Sequence, residues 1–329
     1  MALPNEMNAI VAAGNGGPET LHVARLPVPS PGPGEVLIRV TAAGVNAPDL
    51  AQRAGLYPPP PGASPLLGLE VSGEIAHDAG PWKEGDYVVA LCNGGGYAEY
   101  VAVPVGQVLP APLNWPLIDA AALPETWFTI TQTLVMRAGL SSGMSLLVSG
   151  AAGGLGGAAI QIAKILGADP IAIVSSAAKA DYATALGARA VIRRDTEDIV
   201  ARALELTGGK GVDRVLDTVG ASFTAQMVLA AARFGHIALA ATQAGGKGEL
   251  PLNKIVAKQL TLSGSTLRPQ SAATKAAIAA HLLQHLWPSL PDPALPHPKL
   301  LRLPLAAAAD AHRAMEDPAH YGKVVLVVG

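Results

Sequence analysis

Residues 150–164, GAAGGLGGAAIQIAK, put five glycines into eight positions and then enter a helix-forming run. Glycine weakens a helix interior by about 1 kcal/mol relative to alanine, so five at a helix entrance need a reason. The apolar residues 144–149 before them read as a strand, which makes the stretch a strand-to-helix turn. Aligned on that strand it reads Ala151-x-Gly153-x-x-Gly156, with further glycines at 154 and 157. This spacing suits a dinucleotide pyrophosphate: Gly153 lets backbone approach the phosphates, and Gly156 lets helix and sheet pack closely. The helix start then offers N–H groups and partial positive charge, so Ala152, Gly153, Gly154, Leu155 and Gly156 are cofactor-binding candidates. Ala151 stands at the first glycine of the fingerprint and is small enough for the turn. A tight turn with no ligand is the alternative reading.

A dinucleotide with a free ribose hydroxyl usually meets an acid at the end of the second strand, about 20 residues on. Here that place holds VSSAAK, residues 174–179, without an acid. Ser175 and Ser176 can hydrogen-bond a 2′-phosphate, Lys179 can pair with it, and Arg194 follows the third strand on the same edge. NADPH is therefore expected over NADH, with Lys179 as a solvated helix residue the lesser alternative. Ala240, Ala241 and Thr242, after the fifth strand, fall where nicotinamide lies at strand C-terminal ends.

The elements that must position these residues alternate. Strands are expected at 144–149, 171–175, 190–192, 212–217, 236–241 and 259–263, with helices near 153–166, 177–186, 197–206 and 222–233. That alternation predicts right-handed crossovers and a doubly wound parallel sheet. Residues 1–124 differ, with PVPSPGPGEV, YPPPPGASP and LCNGGGY punctuating short β-like runs, as in an irregular, mostly antiparallel β domain. Helices near 271–286 and 306–316 and a last strand at 323–328 complete the chain, the strand returning to the first domain. The expected class is α/β, with domains at 1–124 (completed by 270–329) and 125–269.

Composition narrows the function classes. The chain has 329 residues, half of them apolar and 15% charged, with a net charge of −2. No basic run exceeds residues 193–194, so neither nucleic acid nor an anionic membrane is an expected partner. One cysteine, Cys92, fits a reducing compartment, and the first residues lack an export signal, so a cytoplasmic location is expected. No apolar run reaches the roughly 18 residues of a membrane span.

With these pieces the sequence resembles the medium-chain dehydrogenase/reductase superfamily, in its zinc-independent quinone oxidoreductase branch related to zeta-crystallin. The resemblance runs through GGPETL (16–21), residues 31–75, KEGDYVVALCNGGGYAEYVAVP (83–104), LPETWFT (123–129), the glycine turn, GSTLR (264–268) and YGKVVLVV (321–328). It implies a GroES-like β domain, a Rossmann domain and a cleft between them for nicotinamide and acceptor. It also implies a homodimer formed by edge strands of the cofactor domain, with 259–263 as the candidate edge. The zinc-binding members' glycine-histidine-glutamate signature falls at Gly68-Leu69-Glu70, where leucine replaces histidine, and one cysteine cannot build a four-cysteine cluster. His281 and His285 share one helical face but lack a third ligand, so no metal is expected.

GVNAPDLAQRAGLY resembles the family pattern at Asn46, Asp49, Arg53, Gly55 and Tyr57. By that resemblance Asn46, Tyr57 and Thr129 are the catalytic candidates: Asn46 and Tyr57 would orient acceptor or nicotinamide, and Thr129 would touch the nicotinamide amide. Asn46 could instead cap a turn, and Tyr57 could merely shield the cleft. Asp49 and Arg53 are expected as a structural pair on a short helix. The resemblance also assigns cofactor contacts to Leu267, Arg268 and Lys323. Arg194, Ile130 and Pro269-Gln270 depart from the family pattern and leave acceptor size open. The expected function is zinc-independent hydride transfer from NADPH to a small quinone, with donors in a dry cleft stabilising the charge on the acceptor oxygen. An enone or enoyl-thioester reductase is the first alternative, and a non-catalytic NADPH sensor or crystallin-like protein is the second.

Overall fold

The structure is a computed structural model that describes residues 3–329. The chain divides into two compact units. The first runs to Phe128 and takes back Arg268–Pro291 and Lys299–Gly329; the second is Thr129–Leu267 with Asp292–Pro298. The division thus departs from the expected 1–124 and 125–269 boundaries in three places, the smallest being an end at Leu267 rather than 269. Residues to 128 stay with the first unit because Trp127 is buried edge-to-face against Trp287, ring centroids 6.1 Å apart. Residues 292–298 belong to the second unit because Gln161 Nε2 donates to the Pro296 carbonyl at 2.6 Å and Lys164 Nζ to that of Ala294 at 3.3 Å.

In the first unit a seven-stranded sheet runs in the order Leu300–Pro304, Lys323–Val327, Glu35–Val45, Glu70–Ile75, Tyr87–Leu91 and Val108–Pro110, with Tyr100–Pro104 also paired to Glu35–Val45. The pairs are antiparallel except the first two strands. The alternating apolar residues of Glu35–Val45 bury Val36, Ile38 and Val40 with Val71, Val88 and Val101 in one core. The KVVLV strand sets Val324 opposite Val45 and Val327 opposite Ala42, so the C-terminus closes this sheet. Its apolar run suits a strand covered on both faces: Val324, Val325 and Leu326 are fully buried.

The second unit is a six-stranded parallel sheet in the order Ala190–Arg193, Asp169–Val174, Ser145–Val148, Val212–Asp217, Ala231–Leu239 and Thr261–Gly264. Counted within the unit this is 3-2-1-4-5-6, the doubly wound order, whose switch point lies beside the first strand. Helices Gly154–Ile165, Ala177–Ala185, Ile199–Leu206 and Ser222–Ala230 supply the crossovers. Leu147, Ile171, Ile192, Val215 and Ile237 meet Phe223, Met227 and Val228 in the core. The fifth strand begins at Ala231, inside the helix expected to reach 233, and Phe234 sits at φ 63°. The helix Leu252–Lys258 was not expected, because its apolar Leu252 and Val256 point outward and leave Ile255 alone on the core side, too little for a stripe. No helix among the described residues is long and apolar enough to cross a membrane.

Candidate functional site

In the second unit the glycines divide the labour at the turn. A Cβ on Gly156 would lie 2.5 Å from the Ala151 Cα and overlap the Gly150 carbonyl, so only glycine lets the helix seat against the strand end. A Cβ on Gly153 would meet only the Gly150 oxygen at 3.4 Å, so the space above it is otherwise open. Gly153 is also the residue that precedes the helix, with extended backbone and no side-chain cap. The first helical N–H groups, from Gly154 on, lack carbonyls one turn back and face the same space. Ala152 is buried at the turn and Leu155 half-buried in the first turn.

The neighbouring strand end gathers the other polar candidates. Ser175 and Ser176 directly follow Asp169–Val174, and the Arg194 N–H donates to the Val174 carbonyl at 3.0 Å, which binds the third strand end to the second. Ser176 Oγ accepts the Lys179 N–H at 3.4 Å and caps the Ala177–Ala185 helix, placing Lys179 in its first turn. Arg194 is exposed, whereas Arg193 is held by Asp195 at 2.7 Å. The Ala240 N–H donates to the Asp217 carbonyl at 2.9 Å, so Ala240, half-buried Ala241 and exposed Thr242 continue the fifth strand past its end. Leu267 is buried, in a segment anchored by Gln132 Nε2 and Thr133 Oγ1, which reach Ser265 Oγ at 2.7 and 2.9 Å. Thr129 Oγ1 is buried with no hydrogen-bond partner among the described residues. Its helix, Pro124–Ile130, continues into a π-helical stretch, Thr131–Arg137. A groove lined by Ser145, Asp169, Arg189 and Asp213 lies at the opposite, N-terminal ends of these strands.

The first unit holds a different kind of site, a buried knot of side chains. Asn46 precedes the Ala47–Arg53 helix, but its amide is spent elsewhere: Nδ2 donates to Glu70 Oε1 at 2.8 Å, and Oδ1 accepts from Lys323 Nζ at 2.7 Å. Lys323 also pairs directly with Glu70 Oε1, and both side chains are almost fully buried. Glu70 Oε2 accepts the Glu125 N–H at 2.9 Å, so this one carboxylate ties four segments together. Helix capping falls to Asp49, whose Oδ2 accepts the Asn46 N–H and whose Oδ1 accepts the Gly68 N–H, each at 2.9 Å. Burial pushes the Asp49 carboxyl up to about 6, against the pull of those two N–H groups. Asp49 and Arg53 are therefore not the expected pair. Arg53 turns away to Glu316 at 2.5 Å and to His312 Nδ1 at 3.2 Å. A guanidinium only donates, so Nδ1 accepts and His312 carries its proton on Nε2, 3.2 Å from the Tyr97 hydroxyl. Burial and then Arg53 push His312 down to about 3.

Tyr57 and Arg268 form a second cluster in this unit. The guanidinium lies 5.6 Å from the Tyr57 ring centroid, and its Nε and Nη2 donate to the Asn93 carbonyl at 3.1 and 2.8 Å. Lys275, buried on the Ala272–His285 helix, donates to Asn93 Oδ1 at 2.5 Å and to the Arg268 carbonyl at 2.8 Å. Burial lowers Lys275 to about 8. Cys92 is buried, its thiol pushed far up by that burial and then by Glu70. His281 and His285 stack with ring centroids 4.5 Å apart, and no group of three metal-ligating side chains occurs among the described residues.

Of the first-unit candidates, then, Asn46 and Lys323 meet on Glu70, and Tyr57 meets Arg268. The sequence reading named Glu70 only as part of a motif and passed over Glu125, Lys275 and the Tyr97–His312 contact. Glu125 did carry a signal: a lone acid in the apolar AALPETWF run.

Comparison with known proteins gives a consistent set. The family described as alcohol dehydrogenase GroES-like domain matches residues 32–113, and that described as zinc-binding dehydrogenase matches 154–282. A quinone oxidoreductase of Pseudomonas aeruginosa is 37% identical over 213 residues, 63% of this chain and 65% of that protein. A solved NAD-dependent alcohol dehydrogenase superposes with TM-score 0.84 at 35% identity, covering 98% of this chain and all of that one. The Escherichia coli quinone oxidoreductase complexed with NADPH superposes with TM-score 0.83 at 27% identity, covering 97% and 99%. The chain spans about half the length, 55%, of other curated relatives, the synaptic vesicle membrane protein VAT-1 homologs of mouse and rat.

Proposed function

Because this chain belongs to the medium-chain dehydrogenase/reductase family, we propose that it is a zinc-independent, NADPH-dependent reductase of small quinones. The observation that carries the reading is Lys323 lodged on Asn46 and Glu70. A zinc ion needs thiolate, imidazole or carboxylate donors free to converge. Here Leu69 stands in the histidine's place, and the Glu70 carboxylate is already neutralised by an ammonium group. These residues do not fit zinc.

They do fit a dinucleotide. Gly153, Gly154, Leu155 and Gly156, with Ala152, would take the pyrophosphate, on the support of the open space above Gly153. Ser175, Ser176, Lys179 and Arg194 would take the ribose 2′-phosphate, since Lys179 and Arg194 supply two cations and residues 174–179 hold no acid. Ala240, Ala241 and Thr242 would border the nicotinamide, with the unpartnered Thr129 hydroxyl available to its amide. When bound, that group supplies the hydride. The chain's own part is to hold the acceptor carbonyl and bear its developing charge. Asn46 keeps one amide hydrogen beyond that given to Glu70, and Tyr57 offers a hydroxyl that burial holds in its protonated form. Each such donor in a dry site is worth about 2–4 kcal/mol. Two copies of the chain would pair along the outer edge of Thr261–Gly264, next to the exposed Leu252 and Val256 of the preceding helix.

The test follows nicotinamide absorbance with naphthoquinones, enones and crotonyl thioester in parallel, using NADPH and then NADH. Consumption of NADPH with a quinone, at least tenfold faster than NADH at low cofactor concentration, is expected. Consumption with enones alone moves the assignment to an enone reductase, and no consumption with any acceptor leaves only a nucleotide-binding protein.

A further inference from the structure

Among the described carboxyls of the first unit that are not exposed, all are engaged with one exception. Glu70 takes hydrogen bonds from Asn46, Lys323 and the Glu125 backbone; Asp49 takes two from backbone N–H groups; Asp119 takes three from Arg302. The Glu125 carboxyl lies among the same groups, half-buried, yet among the described residues nothing donates to it and no cation pairs with it. Its backbone is fixed, because its N–H is held by Glu70, the carboxylate that also holds Asn46 and Lys323. Four residues on along the same helix stands Thr129, whose buried hydroxyl is likewise unpartnered. Residues four apart share a helix face. The groups facing Glu125 are Glu70, Asp49, Lys323 and Lys275, and it in turn acts on Tyr57 and Arg268.

We propose that Glu125 is the proton donor of the reduction, giving its carboxyl proton to the carbonyl oxygen of the acceptor as the hydride arrives. The proposal rests on the oxidoreductase reading above and names the group that reading lacks. A dihydronicotinamide held at this site would give up one ring C–H bond as hydride, becoming the oxidised dinucleotide while the acceptor gains a C–H or O–H bond; the Glu125 O–H bond breaks as the remaining acceptor oxygen gains its hydrogen. Water then reprotonates Glu125, so one NADPH and one proton are consumed per acceptor reduced. Burial, reinforced by the Glu70 charge, pushes this carboxyl up to about 8 while Lys323 and Lys275 pull it down, so it is an acid at neutral pH. An enone, which leaves a more basic oxygen than a quinone, depends on such a donor more strongly.

The experiment compares wild type with Glu125→Gln and Glu125→Ala, using a quinone and an enone over a pH series, with NADPH affinity measured separately by calorimetry. The account expects wild-type kcat to fall above about pH 8. Glu125→Gln should lose at least about 100-fold in kcat with the enone, lose that alkaline limb, and keep its NADPH affinity. Formate should restore part of the activity of Glu125→Ala. A Glu125→Gln protein that keeps its kcat and its alkaline limb overturns the proposal. So does a loss carried wholly by weaker NADPH binding, or a Glu125→Ala protein indifferent to formate. Wild type inactive with every acceptor sinks the parent reading as well, whereas an active wild type with an undiminished Glu125→Gln sinks this inference alone.

Discussion

The glycine turn of the second unit and the Asn46–Glu70–Lys323 knot of the first prepare for chemistry in opposite ways. The turn works by leaving side chains out: Gly156 is bare so that helix meets strand, and Gly153 leaves open space above its backbone, where we propose that a ligand sits. The knot works by gathering partners on one group, so that a buried carboxylate carries an amide, an ammonium and a backbone N–H together. A site made of backbone tolerates change around it but not at it. A site made of paired charges fails when any one member leaves, because the remaining charge is buried and uncompensated.

That contrast sets the order of expected effects. Lys323→Met strips the ammonium from buried Glu70 and should destabilise the protein by about 3–5 kcal/mol in urea unfolding. A loss below about 1 kcal/mol would mean that Asn46 and backbone suffice for Glu70. Gly156→Ala forces a methyl against Ala151 and should cost about 1–3 kcal/mol, with NADPH affinity falling alongside. If stability drops but affinity holds, the turn is a packing device alone. Lys179→Glu leaves the fold intact and should raise the Michaelis constant for NADPH at least tenfold, about 1.4 kcal/mol, with NADH unaffected. An unchanged preference for NADPH would move the phosphate elsewhere.

The smallest effect concerns pH. The folded protein holds Glu125 protonated up to about 8, so its contribution to stability is undiminished at low pH and is lost as pH rises from the ordinary carboxyl value of 4.5 towards 8. Glu125→Gln removes that loss, and its melting temperature should overtake wild type with rising pH by a margin worth ~1 kcal/mol or less, since the group is half-exposed. A constant difference from acid to alkaline pH would contradict the assignment of this titration to Glu125.

Legibility in the sequence follows the same contrast. The parallel sheet could be read because each strand and its crossover helix are local patterns, and residues 212–217 were expected and found as a strand to the residue. The glycine turn was readable for the same reason, its parts lying within seven positions. The knot was not. Asn46 and Lys323 lie 277 positions apart, and nothing near either says that they share a carboxylate. Asp49 and Arg53 show the reverse error. Their one-turn spacing suggested a pair, but a backbone needing a cap claimed the aspartate and His312 with Glu316 claimed the arginine. The helix Leu252–Lys258 escaped because periodicity reports a core-facing stripe, and here only Ile255 packs on the core while Leu252 and Val256 face out.

The claim underneath all of this is that Lys323, Asn46 and Glu70 serve in place of an ion. It is tested most directly by stripping the protein with a strong chelator, verifying by elemental analysis that no zinc remains, and following NADPH oxidation by a naphthoquinone. The account predicts the same turnover before and after stripping. Activity that vanishes with the zinc and returns on adding it back in equimolar amount would contradict it.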